Sequence, residues 1–349
     1  MRFLFISRRG ASLSLATRIV SEGHKVNFFV NNLNYKILGN GIVEKTKIGE
    51  AYNCDVVIFD EAGMGEYASK MAKSKPVIGS SIFADTFNNN ISYKKKVLDK
   101  CGIQLSANSG IELHTTAWFN GFSFVAPYHS YFKKTKFMEH EMGLDTESAG
   151  CLLWYHKSNK ITKAFLTPLL KELKKTGYVG AVNITVNINA DNFTLANICL
   201  GFLFDSTYAA LEGLRQPLGE FLYRLAFEGI KRVKASGDFL VATRVSIPPY
   251  PFKMQEQLSK QTPIGGISEA NLKHLWLRDI LKDEEGNYYS AGCDGYILTV
   301  SARGLTPQKA FRRTYRTISN LTIENLQYRS DLCDNLEDKY RELKRLGYF

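Results

Sequence analysis

Residues 177–208, GYVGAVNITVNINADNFTLANICLGFLFDSTY, set two alternating apolar runs on either side of Asn189-Ala190-Asp191-Asn192. A side-chain period of two, broken by a cluster of turn-forming residues, defines a β-hairpin. Upstream, Ile161, Ala164, Phe165, Pro168, Leu169, Glu172 and Leu173 recur at helical spacing, and the lysines up to Lys175 complement the negative end of a helix dipole. The expected order is a helix over 161–175, a glycine turn and a hairpin.

Toward the N-terminus, RFLFI at residues 2–6 reads as a strand buried in a parallel sheet, followed by a Ser7-Arg8-Arg9-Gly10 loop, a helix over 11–21 and a strand over 26–30. This βαβ order opens a doubly wound α/β sheet. Strands over 55–60 and 76–79, with helices over 66–72 and 93–101, continue it. The loop after the first strand of such a sheet commonly holds phosphate on backbone N–H groups. Here it reads SRRGAS, without GxGxxG, so a dinucleotide is not expected. Arg8 and Arg9 are candidate grips on a phosphate or carboxylate; the alternative is a pair of exposed loop cations.

Further along, Asn120-Gly121 predicts a hairpin between strands 112–118 and 123–127. An amphipathic helix over 218–232 precedes a strand over 240–247. Residues 295–304 form a strand, Thr306 caps a helix running from Pro307 to Ile318, and Asp334–Leu346 is a charged helix with a narrow stripe of Leu336, Tyr340, Leu343 and Leu346. That stripe suits packing on the body or on another subunit.

The helix–hairpin order, the strand wording YVGAVNI and NICLGF, and the segment GYILTVSARGLTPQKAFRRTYRTIS closed by YRSD resemble the phosphoribosylamine-glycine ligase family of ATP-grasp enzymes. The resemblance implies an α/β, ATP-grasp-like fold: a pre-ATP-grasp doubly wound domain over 1–105, a truncated ATP-grasp domain over 106–215, a C-terminal α+β domain over 216–333 and an added helix over 334–349. It also implies what has changed. The small subdomain whose lysine and glycine-rich loop cover ATP has no counterpart between Gly102 and Glu112. The family's metal-holding glutamate and asparagine fall on Asn197 and Cys199, and its arginine falls on Gly201. A neutral amide and a thiol are poor ligands for Mg²⁺, a hard cation. Lys133 and Lys134 match a basic segment of the family, and Asp145, Thr146, Glu147 and Ser148 match its substrate-embracing loop, with changed charge. The implied cleft gathers Ser7, Arg8, Arg9, Gly10, Lys133, Lys134, Asp145–Ser148, Asn183, Asn187 and Asn197.

The leading reading is a divergent family member without ordinary ATP-dependent ligation, binding a nucleotide or a phosphoribosyl compound. The alternative is an active carboxylate–amine ligase with a remodelled site; only then would ATP and Mg²⁺ be cofactors, with Asp191, Asp205, Lys133 and Lys134 recruited. Asp205 otherwise reads as the N-cap of a helix over 206–214.

A third reading comes from charge. The 349 residues carry 45 Lys and Arg against 34 Asp and Glu, a net charge of +11, which favours anionic partners including nucleic acid. Aromatics interleave with lysine at Tyr128, Tyr131, Phe132 and Phe137, although such residues are more often core, and clusters such as Lys94-Lys95-Lys96 read as solvated faces. The 6 cysteines form no CxxC pair, which argues against a zinc site or a disulfide framework. No apolar run is long enough to span a bilayer, and residues 1–6 open as a strand and not as a secretory leader, so a soluble, cytoplasmic protein with no membrane partner is expected.

Overall fold

The computed structural model describes residues 1–47, 53–106, 108–190, 192–252 and 261–349. Strands β1 (Arg2–Ser7), β2 (Lys25–Val30), β3 (Glu44–Lys45), β4 (Val56–Phe59) and β5 (Val77–Ile78) form a parallel sheet in the order β3-β2-β1-β4-β5. Its central strands β1 and β4 are buried on both faces, which is why they read as unbroken apolar runs. Helices α1 (Leu13–Ser21), α2 (Gly65–Met71), α3 (Ile82–Asn89) and α4 (Ile91–Lys100) accompany the sheet. The sequence reading missed α3, which meets α4 at Asn90: this residue ends α3, and its side chain accepts the Tyr93 N–H to cap α4.

From α4 the chain passes through residues 101–110 straight into a second, antiparallel sheet. Its strands are β6 (Ile111–Phe119), β7 (Phe124–Met138), β8 (Met142–His156), β9 (Gly180–Ile188), β10 (Phe193–Leu200) and β11 (Phe239–Ser246), extended by β16 (Tyr296–Gly304) and β13 (Leu275–Leu277). The order is β10-β9-β6-β7-β8-β11-β16-β13, so one eight-stranded sheet crosses the boundary expected at residue 215. The hairpin that opened the sequence reading is β9–β10, with Asn183 opposite Cys199. A smaller sheet of β12 (Pro263–Gly265), β14 (Ile280–Lys282), β15 (Tyr288–Ser290) and β17 (Thr322–Ile323) completes the strands.

Alternation gives the large sheet two unlike faces. Leu113, Phe132, Leu152, Val182, Ile184, Val186 and Ile198 point into one core, against Phe165 and Leu169 of α5 (Lys160–Leu173), Phe311 of α9 (Pro307–Ser319) and Leu343 of α10 (Leu336–Arg345). The opposite face is partly covered by α6 (Phe204–Glu212), whose Ala209 and Ala210 pack with Cys151, Leu153, Leu240 and Ala242. The chain also contains α7 (Leu218–Tyr223) and α8 (Glu269–Leu272).

Two expectations change. The helix expected over 218–232 is α-helical only through α7; it widens into a π turn over 224–228 and stops at Gly229, whose φ of +64° suits glycine. Residues 142–150, matched above to a substrate-embracing loop, are instead the first half of β8, paired with β7 in one long arm. Arg329, 2% exposed, pins the tip of that arm. It donates to the Lys136 carbonyl at 2.9 Å, to Glu141 at 3.1 Å and to Asp331 at 2.6 Å.

The C-terminal helix packs on the body. Tyr340 meets Trp154 and Phe239 edge-on, each at 4.9 Å between ring centroids, and Leu336 and Leu343 are buried. Removing a fully buried leucine side chain leaves a cavity, so Leu343→Ala should cost about 2–5 kcal/mol of unfolding free energy in a urea titration. An unchanged midpoint would mean that α10 is not part of the folded core.

Candidate functional site

The open part of the large sheet's polar face is built in phase. On β9, Asn183, Thr185 and Asn187 alternate with core residues; opposite them on β6 stand Thr116, His114 and Glu112, and His114 in turn faces Tyr131 of β7. The deeper members are pinned by their neighbours. Thr116 donates to Asn183 Oδ1 at 2.8 Å, and Asn183 Nδ2 donates to the Gly201 carbonyl at 2.8 Å, so that amide secures the hairpin. His114 stacks on Tyr131 at 4.9 Å, contacts Glu112 through Nε2 at 2.9 Å and Thr185 through Nδ1 at 3.0 Å. Since an ionised carboxylate only accepts, Nε2 carries the proton and Nδ1 accepts from the Thr185 hydroxyl. Burial holds the His114 pKa below its ordinary value, and the bond from His114 holds Glu112 low, so the contact joins a neutral imidazole to a carboxylate.

At the outer edge, Lys94 of α4 is buried at 6% exposure, unlike its exposed neighbours Lys95 and Lys96, and donates to Asn197 Oδ1 at 3.2 Å. This corrects the expectation that the whole Lys94–Lys96 cluster is a solvated face. Lys133 stands on the same face as Tyr131 and makes no hydrogen bond or ion pair among the described residues. Cys199 lies within electrostatic range of both ammonium groups; burial nevertheless raises its pKa, which keeps the thiol protonated. A protonated thiol and an amide already occupied by an ammonium do not fit Mg²⁺. Among the described residues, no group of three or more His, Cys, Asp or Glu side chains is placed to hold a metal ion.

Asp205 is not an N-cap. It lies inside the first turn of α6, after the capping residue Leu203, and is 3% exposed. Its carboxylate accepts from Arg244 at 2.7 Å, Tyr296 at 2.8 Å and Thr299 at 3.0 Å, while the Arg244 guanidinium sits 4.2 Å from the Tyr296 ring centroid. Fully engaged in this way, it is not available to a metal or a substrate. Asp191, the other carboxylate of the ligase alternative, lies outside the described residues.

The crevice at the ends of β1 and β4 is also filled from within. Ser7 Oγ accepts the Gly10 and Ala11 N–H groups at 2.6 and 3.1 Å, and Asp60 accepts from the Ser12 N–H and hydroxyl at 2.8 and 2.6 Å. Burial, then the charge of Glu61, pushes the Asp60 pKa up to about 7. Arg9 is taken by Glu61 at 2.7 Å, whereas Arg8, among the described residues, donates only to the Ala62 carbonyl at 3.3 Å and lines a cavity of about 680 Å³ with Asn31, Lys70 and Asp85.

Of the residues gathered by the sequence reading, the structure therefore unites Lys133, Asn183, Asn187 and Asn197, with Cys199 of the implied metal position beside them. Ser7, Arg8, Arg9 and Gly10 belong to the separate crevice, with Tyr208 of α6 donating to the Ala11 carbonyl beside it. Lys134 points to the other face of the sheet and binds Glu141 at 2.6 Å beside Arg329. Asp145, Thr146, Glu147 and Ser148 lie along the arm, where Asp145 is held by Lys136 at 2.8 Å and Thr146 donates to the Thr135 carbonyl at 2.9 Å. Glu112, His114, Thr116, Thr185 and Lys94 were missed, although the period-two phase from Leu113 and Val182 places the first four.

No family model and no curated protein matches the chain. Solved structures do. Phosphoribosylamine–glycine ligase from Thermotoga maritima aligns with a TM-score of 0.71 at 15% identity, over 95% of this chain and 100% of that one. The biotin carboxylase domain of a single-chain bacterial carboxylase aligns with a TM-score of 0.61 at 10% identity, over 99% and 98%. The multifunctional pyruvate carboxylase from Rhizobium etli gives 0.66 at 12%, over 98% of this chain and 35% of that one. The fold is therefore α/β and ATP-grasp-like, as the sequence resemblance implied. At these identities the likeness concerns architecture. No helix among the described residues is long and apolar enough to cross a membrane.

Two predictions follow from the buried polar groups. Arg244→Ala strands the Asp205 carboxylate and should lower stability by about 3–5 kcal/mol in urea denaturation, with Asp205→Asn/Arg244→Met recovering much of it. A loss in the double variant equal to the sum of the two single losses would mean that the pair is uncoupled. His129 is 1% exposed with both ring nitrogens unpartnered among the described residues, and burial, then His156, holds its pKa down to about 3. The unfolded chain takes up that proton near pH ~6.5, so stability is full above this value and falls as pH drops toward 3, by about 1.4 kcal/mol per unit for this group. His129→Phe should flatten the fall; parallel stability–pH curves for the two proteins would contradict it.

Proposed function

We propose that the chain binds a nucleotide or a phosphoribosyl compound on the polar face of the large sheet, with lysine ammonium groups in place of a divalent cation, and without ordinary ATP-dependent ligation. The observation that carries this reading is the Lys94 ammonium 3.2 Å from Asn197 Oδ1. Where the family resemblance puts a metal-holding glutamate, this chain has an amide with a cation already beside it. Lys133, unpaired among the described residues, supplies the second charge across Cys199. A phosphate group facing two ammonium groups gains charge-assisted hydrogen bonds from both. The glutamate that remains at this rim, Glu112, is engaged by His114.

Phosphoryl transfer relies on cations that bridge and neutralise the phosphate oxygens, together with groups that position the nucleophile. Lys94 and Lys133 provide static charge for binding. The short passage from α4 to β6, residues 101–110, supports a reading without a lid subdomain at that point. Both features favour binding over acyl-phosphate chemistry.

The test is thermal unfolding with ADP, ATP and ribose 5-phosphate, each in EDTA and in excess Mg²⁺. Binding should raise the midpoint equally in both, by the equivalent of about 2.7 kcal/mol at one hundred times Kd, and Lys133→Ala should abolish the rise. A rise with ATP that needs Mg²⁺ would overturn the proposal in favour of the ligase alternative. No rise with any of the three would remove the site.

A further inference from the structure

Away from the sheet's polar face, α4 and the C-terminal end of α5 enclose a surface groove of about 620 Å³. Its apolar wall is Phe83 and Tyr93, whose rings meet edge to face at 6.3 Å, and Tyr93 is 37% exposed. Lys96, Lys100 and Lys175 line the groove, and exposed Lys95, Lys171 and Lys174 extend the positive surface along both helices. Two carboxylates also line it. Glu172 is taken by Lys175 at 2.6 Å, with its pKa held below the usual range chiefly by that bond, and Asp99 has no ion-pair partner among the described residues. Lys96 and Lys100 likewise form no ion pair among the described residues, so the groove keeps an excess of positive charge.

The interleaved segment singled out in the sequence is not comparable. Tyr131 and Phe132 are each 2% exposed, and Phe137 packs on Tyr250 at 5.7 Å. At the α4–α5 groove, by contrast, an accessible ring and unpaired lysines lie side by side.

We infer that the α4–α5 groove binds a single-stranded polynucleotide, its bases stacking on Tyr93 and its phosphates meeting Lys96 and Lys100. Stacking on an aromatic ring requires an unpaired base, which selects single strands over duplex. The lysines track the backbone without reading sequence, so binding is tolerant of base identity and sensitive to salt. The inference is independent of the ligand proposed for the sheet face, since α4 turns Lys94 toward that face and Lys95, Lys96 and Lys100 to solvent.

The experiment is fluorescence anisotropy of the full chain with labelled dT12, rU12 and a 12-bp duplex across a range of NaCl concentrations. Expected are binding of both single strands, weaker binding of the duplex, and a log K against log salt slope near −0.7 per phosphate neutralised. Tyr93→Ala should weaken single-strand binding by roughly 5- to 150-fold, the range for one stacked base. Lys96→Glu/Lys100→Glu should weaken it further and make the slope shallower. These exposed substitutions should leave the thermal midpoint in place, which separates lost binding from lost folding. Binding that ignores both the Tyr93 and the lysine variants, equal affinity for duplex, or no binding at low salt would each overturn the inference. So would binding only to anionic phosphatidylserine vesicles.

Discussion

The period of two along each strand of the large antiparallel sheet is the constraint on which the rest of the molecule depends. A strand that offers Val182, Ile184 and Val186 to one side must offer Asn183, Thr185 and Asn187 to the other, and a shift of one residue would exchange the two sets. The apolar set is fixed by α5, α9 and α10, so the polar set has no freedom of position. Register thus does the work of a site builder: it aligns β6, β7, β9 and β10 so that polar side chains distant in sequence share one surface.

The sequence revealed that arrangement where pattern is local. The β9–β10 hairpin, the β1–α1–β2 unit and the β16–α9 segment were legible because alternation, caps and turn residues all lie within a few positions of one another. Long-range pairing was less visible. MGLDTESAG at 142–150 has the small and polar residues of a loop, but pairing with β7 and the grip of Arg329 make it a strand. Asp205 looked like a cap because its partners, Arg244, Tyr296 and Thr299, lie 39, 91 and 94 residues away. Lys94 was hidden inside a run of three lysines, where only helical phase, set by Val97 and Leu98 in the core, decides which of them turns inward.

Electrostatically, the chain separates charges that are committed from charges that are free. The committed ones are matched around a buried guanidinium: Arg244 with buried Asp205, and Arg329 with Asp331 and the exposed Glu141. Such pairs lock the packing of α6 and of the long β7–β8 arm, and removing Arg244 leaves the buried Asp205 charge without an ionic partner. Among the free charges are Lys133 on the sheet and Lys96 and Lys100 on α4.

The loop between β1 and α1 carries its own occupant. Its backbone N–H groups are satisfied by the Ser7 hydroxyl at the end of β1 and by Asp60, the residue after β4, neither of which can diffuse away. A tethered group of this kind competes at an effective concentration of about millimolar or more. A free anion entering the crevice would have to displace it. The crevice is in this way closed from within, and its loop serves as a joint between β1, α1 and the residue that follows β4.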